Sequence, residues 1–498
     1  MKTMKRLHIY AALLLLIITS SCNKDFLDTV PISNQSETGF YKTENDIMQA
    51  VSGVYNKLLG FPDVNNIYLS ECRSSNYYVD RQDAARDYFS ISAFEVTPAL
   101  GTLQTAWTND YELIERANQV LDRIDDIPFS DTTKRSRLKG ECKFLRALSY
   151  FELVKVFGGV PLIDKVVSSQ EALSYGRVGA DTIYNFIVKE LTEAAILLPK
   201  SYTGADKGRA TKWAALGLLG KAYLYMAGYP LLKTENYAKA VTALKEVLNA
   251  ENQADGWKFA ATYAEIFKTA SDNKYSLFEV QYLSGGKGLG NPVPGEVIPL
   301  DMDTKITPYG SYYMQGFPSD DLINSFETGD KRKFVILDTV YRNRSGVMTK
   351  RNYFKKYLDS TAASSILSSS DWGINFPLLR PEDVMLMYAE AVNETGGPTT
   401  EAVTLVNRIR TRAGLATIDA PSQTDFKLII ERERRHELAW EGQYWGDLVR
   451  TGRCLDVMNP WLQQNYQINM DANKFIYPIP QSEIQIKPGL YTQNPGYN

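Results

Sequence analysis

The sequence is poor in the residues that most metal and nucleophilic chemistry uses: 498 residues contain two histidines and four cysteines. His8 sits in the N-terminal segment, so loss of that segment leaves His436 as the only histidine. A Ser-His-Asp triad would have to be built on it. His436-Glu437 opens an HExxH-like stretch, but Trp440 stands where the second zinc ligand is needed, and the zinc-protease reading fails. No GxxxxGK[ST] or GxGxxG motif occurs. The stretch GGKGLG at 285–290 lacks the strand-to-helix setting of a phosphate loop and reads as a flexible loop. Asp301 and Asp303 offer two oxygen ligands without the third ligand or the glycine of a calcium loop. Paired catalytic carboxylates depend on a separation in space that spacing along the chain does not reveal. No motif therefore signals catalysis, and the expectation is a protein without cofactor, metal or enzymatic activity. Neither charge dominates, with 55 basic against 58 acidic residues. No run approaches the roughly 20 apolar residues of a membrane-spanning helix.

What is present begins at the N-terminus. Lys2, Lys5 and Arg6 precede an apolar run over 9–18, followed by Thr19-Ser20-Ser21-Cys22. This is the order of a secretory signal over residues 1–21. The junction resembles the lipobox of bacterial lipoproteins, with Thr19 where leucine is commoner, and implies cleavage before Cys22 and its lipidation. Acyl chains contribute about 0.8 kcal/mol per buried methylene, enough in combination to hold a protein at a membrane. Cleavage removes three basic residues and no acid, taking the net charge from −3 to −6. That disfavours nucleic acid as a partner. Cys72, Cys142 and Cys454 remain, an odd number too widely spread for a disulfide framework. Cys142 and Cys454 stand among apolar neighbours and read as small buried thiols.

Apolar residues at i, i+3, i+4 and i+7 predict helices over 103–124, 138–157, 183–198, 213–226 and 237–248, and again over 381–392, 402–413 and 426–449. Gly396-Gly397 and Gly414 are stop signals. Ala222 and Tyr225, followed by Tyr237, Ala240, Leu244 and Val247, approach the small-and-large alternation of tetratricopeptide helices. Between about 251 and 379 the helical period fades into Gly, Pro, Asp and Tyr, with one strand predicted over 277–283. A second irregular, aromatic stretch covers about 68–98. Irregular segments this long in a compact protein tend to carry function.

Several blocks resemble the SusD/RagB family of surface nutrient-binding lipoproteins. The most specific is ERERRHELAWEGQYWGDLVRTG at 431–452, and LRPEDVMLMYAEA (379–391), VNRIRTRAGL (406–415), YPIP (477–480) and QNPGY (493–497) fall in the family's order. KFLRA (143–147), FGGVPL (157–162), GRAT (208–211) and the start CNKDFL (22–27) also fit, so the resemblance runs over nearly the whole chain. It implies a mainly α, SusD-like fold: a single unit over 22–498 with four tetratricopeptide-like helix pairs as scaffold, and loop-rich insertions carrying the ligand site. It further implies a lipid-anchored protein at the cell surface of a Bacteroidetes-type bacterium. There it would capture a nutrient glycan, or in the RagB branch a peptide or glycopeptide, and deliver it to a SusC-like TonB-dependent transporter in the outer membrane. The charged 431–452 block reads as an interdigitated salt-bridge network rather than a ligand site.

Sugar recognition asks for flat aromatic faces against ring C–H groups and for polar side chains against hydroxyls. Tyrosine is abundant: its 31 copies exceed the 20 Phe and 7 Trp taken together. Two stretches supply both ingredients. One holds Tyr77, Tyr78, Asp80 and Arg81; the other holds Tyr309, Tyr312 and Tyr313, with Asp320 and Asp321 nearby. Trp107 and Asp110 lie one helical turn apart, at a position resembling one in the binding arc of starch-binding relatives. Trp107 equally starts an apolar stripe through Tyr111 and Ile114, which is a core pattern. Trp372, in a serine-rich loop, is the expected exposed platform.

Overall fold

A computed structural model describes residues 40–80, 87–309 and 316–497. The expected signal segment, Cys22, Arg81, Tyr312 and Tyr313 lie outside them.

Nine helices form the scaffold: α1 Glu44–Asn56, α2 Gly101–Arg123, α3 Thr132–Phe157, α4 Ala180–Leu197, α5 Lys212–Ala227, α6 Asn236–Leu248, α7 Pro381–Gly396, α8 Thr400–Ala413 and α9 Gln423–Glu437. Local chemistry sets their starts. Thr43 and Asp46 make a reciprocal capping box on α1, and Asp131, Thr211, Thr399 and Ser422 each accept a backbone N–H in the first turn of their helix. At the other end, Gly414 terminates α8 at φ 84°, in the left-handed region open to glycine. Each helix from α2 to α7 packs on the one before it, and α8 and α9 both lie on α7. The small residues of the α5–α6 pair let the helices close up, since a Cβ on Gly220 would sit 2.4 Å from the Leu244 side chain. One apolar cluster draws on all nine helices and on the irregular regions between them.

The periodic pattern locates α2 to α9 to within about six residues, with one correction, while α1 lies outside every predicted span. The run expected over 426–449 is two helices, because the chain breaks between α9 and α10, Tyr444–Arg450. Trp440 (φ 65°) and Gly442 (φ 77°) adopt left-handed conformations there, and the freed N–H groups of Glu441 and Gly442 donate to the buried Glu71 carboxylate at 3.2 and 2.8 Å. A further helix that the pattern did not predict, α11 (Cys454–Tyr466), follows. Cys72, Cys142 and Cys454 are buried free thiols.

The irregular regions are tied down by four short antiparallel ladders among the described residues: β1 (Tyr77–Tyr78) with β5 (Phe317–Pro318), β2 (Val160–Pro161) with β3 (Arg177–Val178), β4 (Phe278–Val280) with β8 (Phe376–Leu379), and β6 (Leu337–Arg342) with β7 (Met348–Phe354). β4 is the strand predicted within 277–283. No described helix is long and apolar enough to cross a membrane.

Candidate ligand-binding site

A cavity of about 880 Å³ opens where β1 and β5 join the two irregular regions. Strand geometry sends successive side chains to opposite faces. Tyr77 therefore turns inward, fully buried and stacked on Trp440 at 6.0 Å between centroids, while Tyr78 turns outward to line the cavity. Gly316 permits this, because a Cβ there would lie 2.3 Å from the Tyr77 hydroxyl oxygen. Phe317, paired with Tyr78 across the ladder, forms part of the same wall. After β5 the short helix Asp320–Ser325, capped by Ser319, contributes Asp320, Asp321, Asn324 and Ser325. β7 brings Lys350, Arg351 and Asn352, and α11 brings Trp461, Gln464 and Asn465. A smaller cavity of about 220 Å³ adjoins it, sharing Tyr78 and Asn465 and adding Asp80 and Glu95. Tyr78 is backed by Tyr466, stacked at 5.7 Å with 17° between the rings, so its orientation is set from behind.

The charged 431–452 block is indeed a buried ion network. Arg380 donates to Glu382 (2.8 Å), Glu437 (3.0 Å) and Glu441 (2.8 Å), and Arg332 to Asp330 (2.7 Å) and Glu433 (2.8 Å). Burial alone would raise the Glu437 carboxyl, but the guanidinium groups of Arg412 and Arg380 hold it down at about 2. The last turn of α9 braces the cavity. Arg435 donates to Asn76 Oδ1 (2.8 Å) beside β1 and pairs with Asp321 on the short helix, and His436 Nε2 lies 2.9 Å from Ser325 Oγ.

Ser325, His436 and Asp330 therefore converge, and their geometry can be compared with a catalytic triad. His436 Nδ1 is 3.9 Å from Asp330, beyond hydrogen-bonding range, and Asp330 is instead clamped by Arg332. Burial and the adjacent Arg332 keep the imidazole well below its ordinary pKa, and its ring stacks on Phe326 at 4.3 Å. A neutral histidine with no orienting carboxylate is a packing element of the wall. The Asp301–Asp303 pair is likewise engaged in the fold, Asp301 accepting from the Tyr341 hydroxyl (2.6 Å) and Asp303 from the Lys305 N–H (2.9 Å).

Of the residues named from sequence, Tyr78 lines the main cavity and Asp80 its neighbour. Tyr309 is 37% exposed but lines neither. Four of the named residues are corrected. Trp372 is no exposed platform: it is 1% exposed, with Nε1 donating to Ser369 O at 3.1 Å. The serine-rich loop closes over it because the Asp371 carboxylate gathers the N–H groups of Gly285, Gly286 and Leu367. Trp107 packs edge-on against Phe157 in the core, and Asp110 is buried, accepts from Asn65 at 3.2 Å, and is pushed well above the usual carboxyl range by burial and by nearby Glu152. Tyr77 belongs to the core for the reason already given. The β7 and α11 residues were missed. Trp461, Gln464 and Asn465 follow an i, i+3, i+4 spacing, but no expected helix covered them.

The second half of the chain, residues 242–497, matches the model of the SusD family, and residues 25–224 match a model described as "Starch-binding associating with outer membrane". The chain belongs to the SusD family. Among its relatives, SusD-like protein P38 of Formosa agariphila is 27% identical over 506 residues, covering 92% of this chain and 94% of the relative. The starch-binding protein SusD of Bacteroides thetaiotaomicron is 25% identical over 453 residues, covering 77% and 76%. A laminarin-binding SusD-like protein superposes with a TM-score of 0.79 at 26% identity, over 92% of this chain and 100% of that one. A SusD superfamily protein from Parabacteroides distasonis matches with the same TM-score and identity over 91% and 99%. The mainly helical scaffold with ligand-sized loop cavities is thus the SusD fold.

Proposed function

We propose that this SusD-family chain is a non-catalytic, cell-surface glycan-binding protein that captures an oligosaccharide or polysaccharide in the cavity beside Tyr78. One observation carries the reading. The volume, about 880 Å³, falls in the range of small-molecule sites, and its wall combines an aromatic face pre-set by Tyr466 with amide side chains from Asn324, Asn352, Gln464 and Asn465. Aromatic faces suit ring C–H groups, and amides donate to and accept from hydroxyls. Relatives named as starch-binding and laminarin-binding support the same class of ligand. In this reading Cys22 carries the lipid that holds the protein at the outer membrane, and the bound glycan passes to a SusC-like TonB-dependent transporter.

Affinity electrophoresis of the protein through gels containing a polysaccharide panel tests the capture. Retardation by one class is expected. If none of a broad panel retards it, glycan capture fails and a peptide ligand becomes the reading to pursue. Prolonged incubation with the retarding polysaccharide should leave its chromatogram unchanged, and released fragments would refute a non-catalytic role. Co-purification of a barrel protein from outer membranes is the expected sign of the transporter.

A further inference from the structure

The cavity wall departs from strand geometry at one place. Lys350, Arg351 and Asn352 are consecutive residues of β7, yet all three line the cavity, which strict alternation would forbid. The ladder with β6 explains it. Asp338 pairs with Tyr353 and Val340 with Lys350, so two steps along β6 face three along β7, a one-residue bulge within this triplet. Bulges re-aim side chains in this way and are enriched beside binding sites.

The bulge aims positive charge. Many arginines elsewhere in the fold end on carboxylates, among them Arg146 on Glu190, Arg332 on Asp330 and Arg450 on Glu390, and others, such as Arg73 and Arg177, on backbone carbonyls. Among the described residues Lys350 and Arg351 have no carboxylate within ion-pair distance, and the Arg351 Nε is buried with no hydrogen-bond acceptor. The Arg351 guanidinium is steadied over the Phe317 ring at 4.6 Å, which fixes its place on the wall without neutralising it. Of the two carboxylates in the lining, Asp321 is already committed to Arg435, so Asp320 alone stands against two cations. This local excess of positive charge sits in a chain whose net charge is −3.

We infer that the cavity selects an anionic glycan, one whose sugar rings carry a carboxylate or a sulfate ester, with the planar fork of Arg351 as the anion-recognising group and Lys350 as a supporting charge. The fork geometry matches two oxygens of either anion. The negative chain repels polyanions in general, so their retention requires this local site. The inference rests on the proposed glycan capture and names its ligand class.

The test compares matched polysaccharides by affinity electrophoresis and calorimetry: polygalacturonate against its methyl ester, a sulfated galactan against its desulfated form, and neutral starch and laminarin. Tighter binding of one anionic member over its neutral match is expected. The two pairs separate carboxylate from sulfate. Arg351→Gln should weaken that binding at least tenfold, and Lys350→Gln, at an exposed side chain that leaves folding undisturbed, should weaken it severalfold. Circular dichroism checks that both variants fold. Equal binding of charged and neutral partners, or anionic binding untouched in both variants, overturns the inference while leaving glycan capture intact. Binding to neutral polysaccharides alone does the same. No binding to any member defeats the proposed function itself.

Discussion

Tyr77 and Tyr78 are chemically identical neighbours with opposite fates, and the difference yields a test at the scale of single residues. Tyr78→Ala removes an aromatic face from the cavity wall at a residue that is only partly buried, at the edge of the core. It should weaken glycan binding about tenfold, or ~1.4 kcal/mol, with little change in the unfolding midpoint. Trp372→Ala should do the reverse. That indole is among the largest fully buried side chains, and its loss should lower unfolding free energy by about 3–5 kcal/mol, read by urea denaturation. Ligand affinity of the folded fraction should stay unchanged. A loss of affinity without a loss of stability would restore Trp372 as a platform.

At the scale of elements, the break between α9 and α10 decides how the charged block works. A continuous helix would carry Glu441 away from Arg380 and Lys356, to which it is bound by its carboxylate. Gly442 makes the turn: it is left-handed, and a Cβ would meet Asn66 at 2.6 Å. Gly442→Ala combines backbone strain with a clash and should cost about 2 kcal/mol. The expected readout is a lowered melting temperature with secondary structure retained. The apolar period over 426–449 continues across the break, so the period does not mark it, and Gly442 is its one local signal. Residues distant in sequence hold it: Glu71, buried beneath the turn, accepts two of its N–H groups, and Asn66 and Ser70 donate to its carbonyls. The helices α2 to α6 were legible because each one's burial stripe is a local repeat that packs on a sequential neighbour.

For the whole molecule, buried acids of opposite behaviour shape stability against pH. Burial raises Glu71 to about 7 despite the N–H groups it accepts. The folded state then holds a proton that the unfolded chain gives up near 4.5, so this contribution is present below about 4.5 and is lost as pH rises through about 7. Glu437, held at about 2, contributes in the opposite sense: its stabilisation is present above about 4.5 and is lost as pH falls through about 2. Urea midpoints measured from pH 5 to pH 8 should decline in the parent protein and decline less in Glu71→Gln. An identical slope in the two proteins would show that Glu71 does not titrate in this range.

The division between sequence and tertiary structure follows the range of the interactions. The helical spans and the ionic character of the 431–452 block follow from local spacing, because helices and their caps are decided within a few residues, and family membership follows from the motif blocks the chain shares with its relatives. The same is true of the expectation that aromatic, irregular segments carry the site. Which aromatic lines the cavity is decided by pairing over distance. Tyr78 faces outward because β1 meets β5, Trp372 is sealed by the Asp371 carboxylate gathering N–H groups from another segment, and Arg351 enters the wall through a bulge defined only by the partner strand. A side chain's exposure is a property of what covers it, and the covering segments lie elsewhere in the chain.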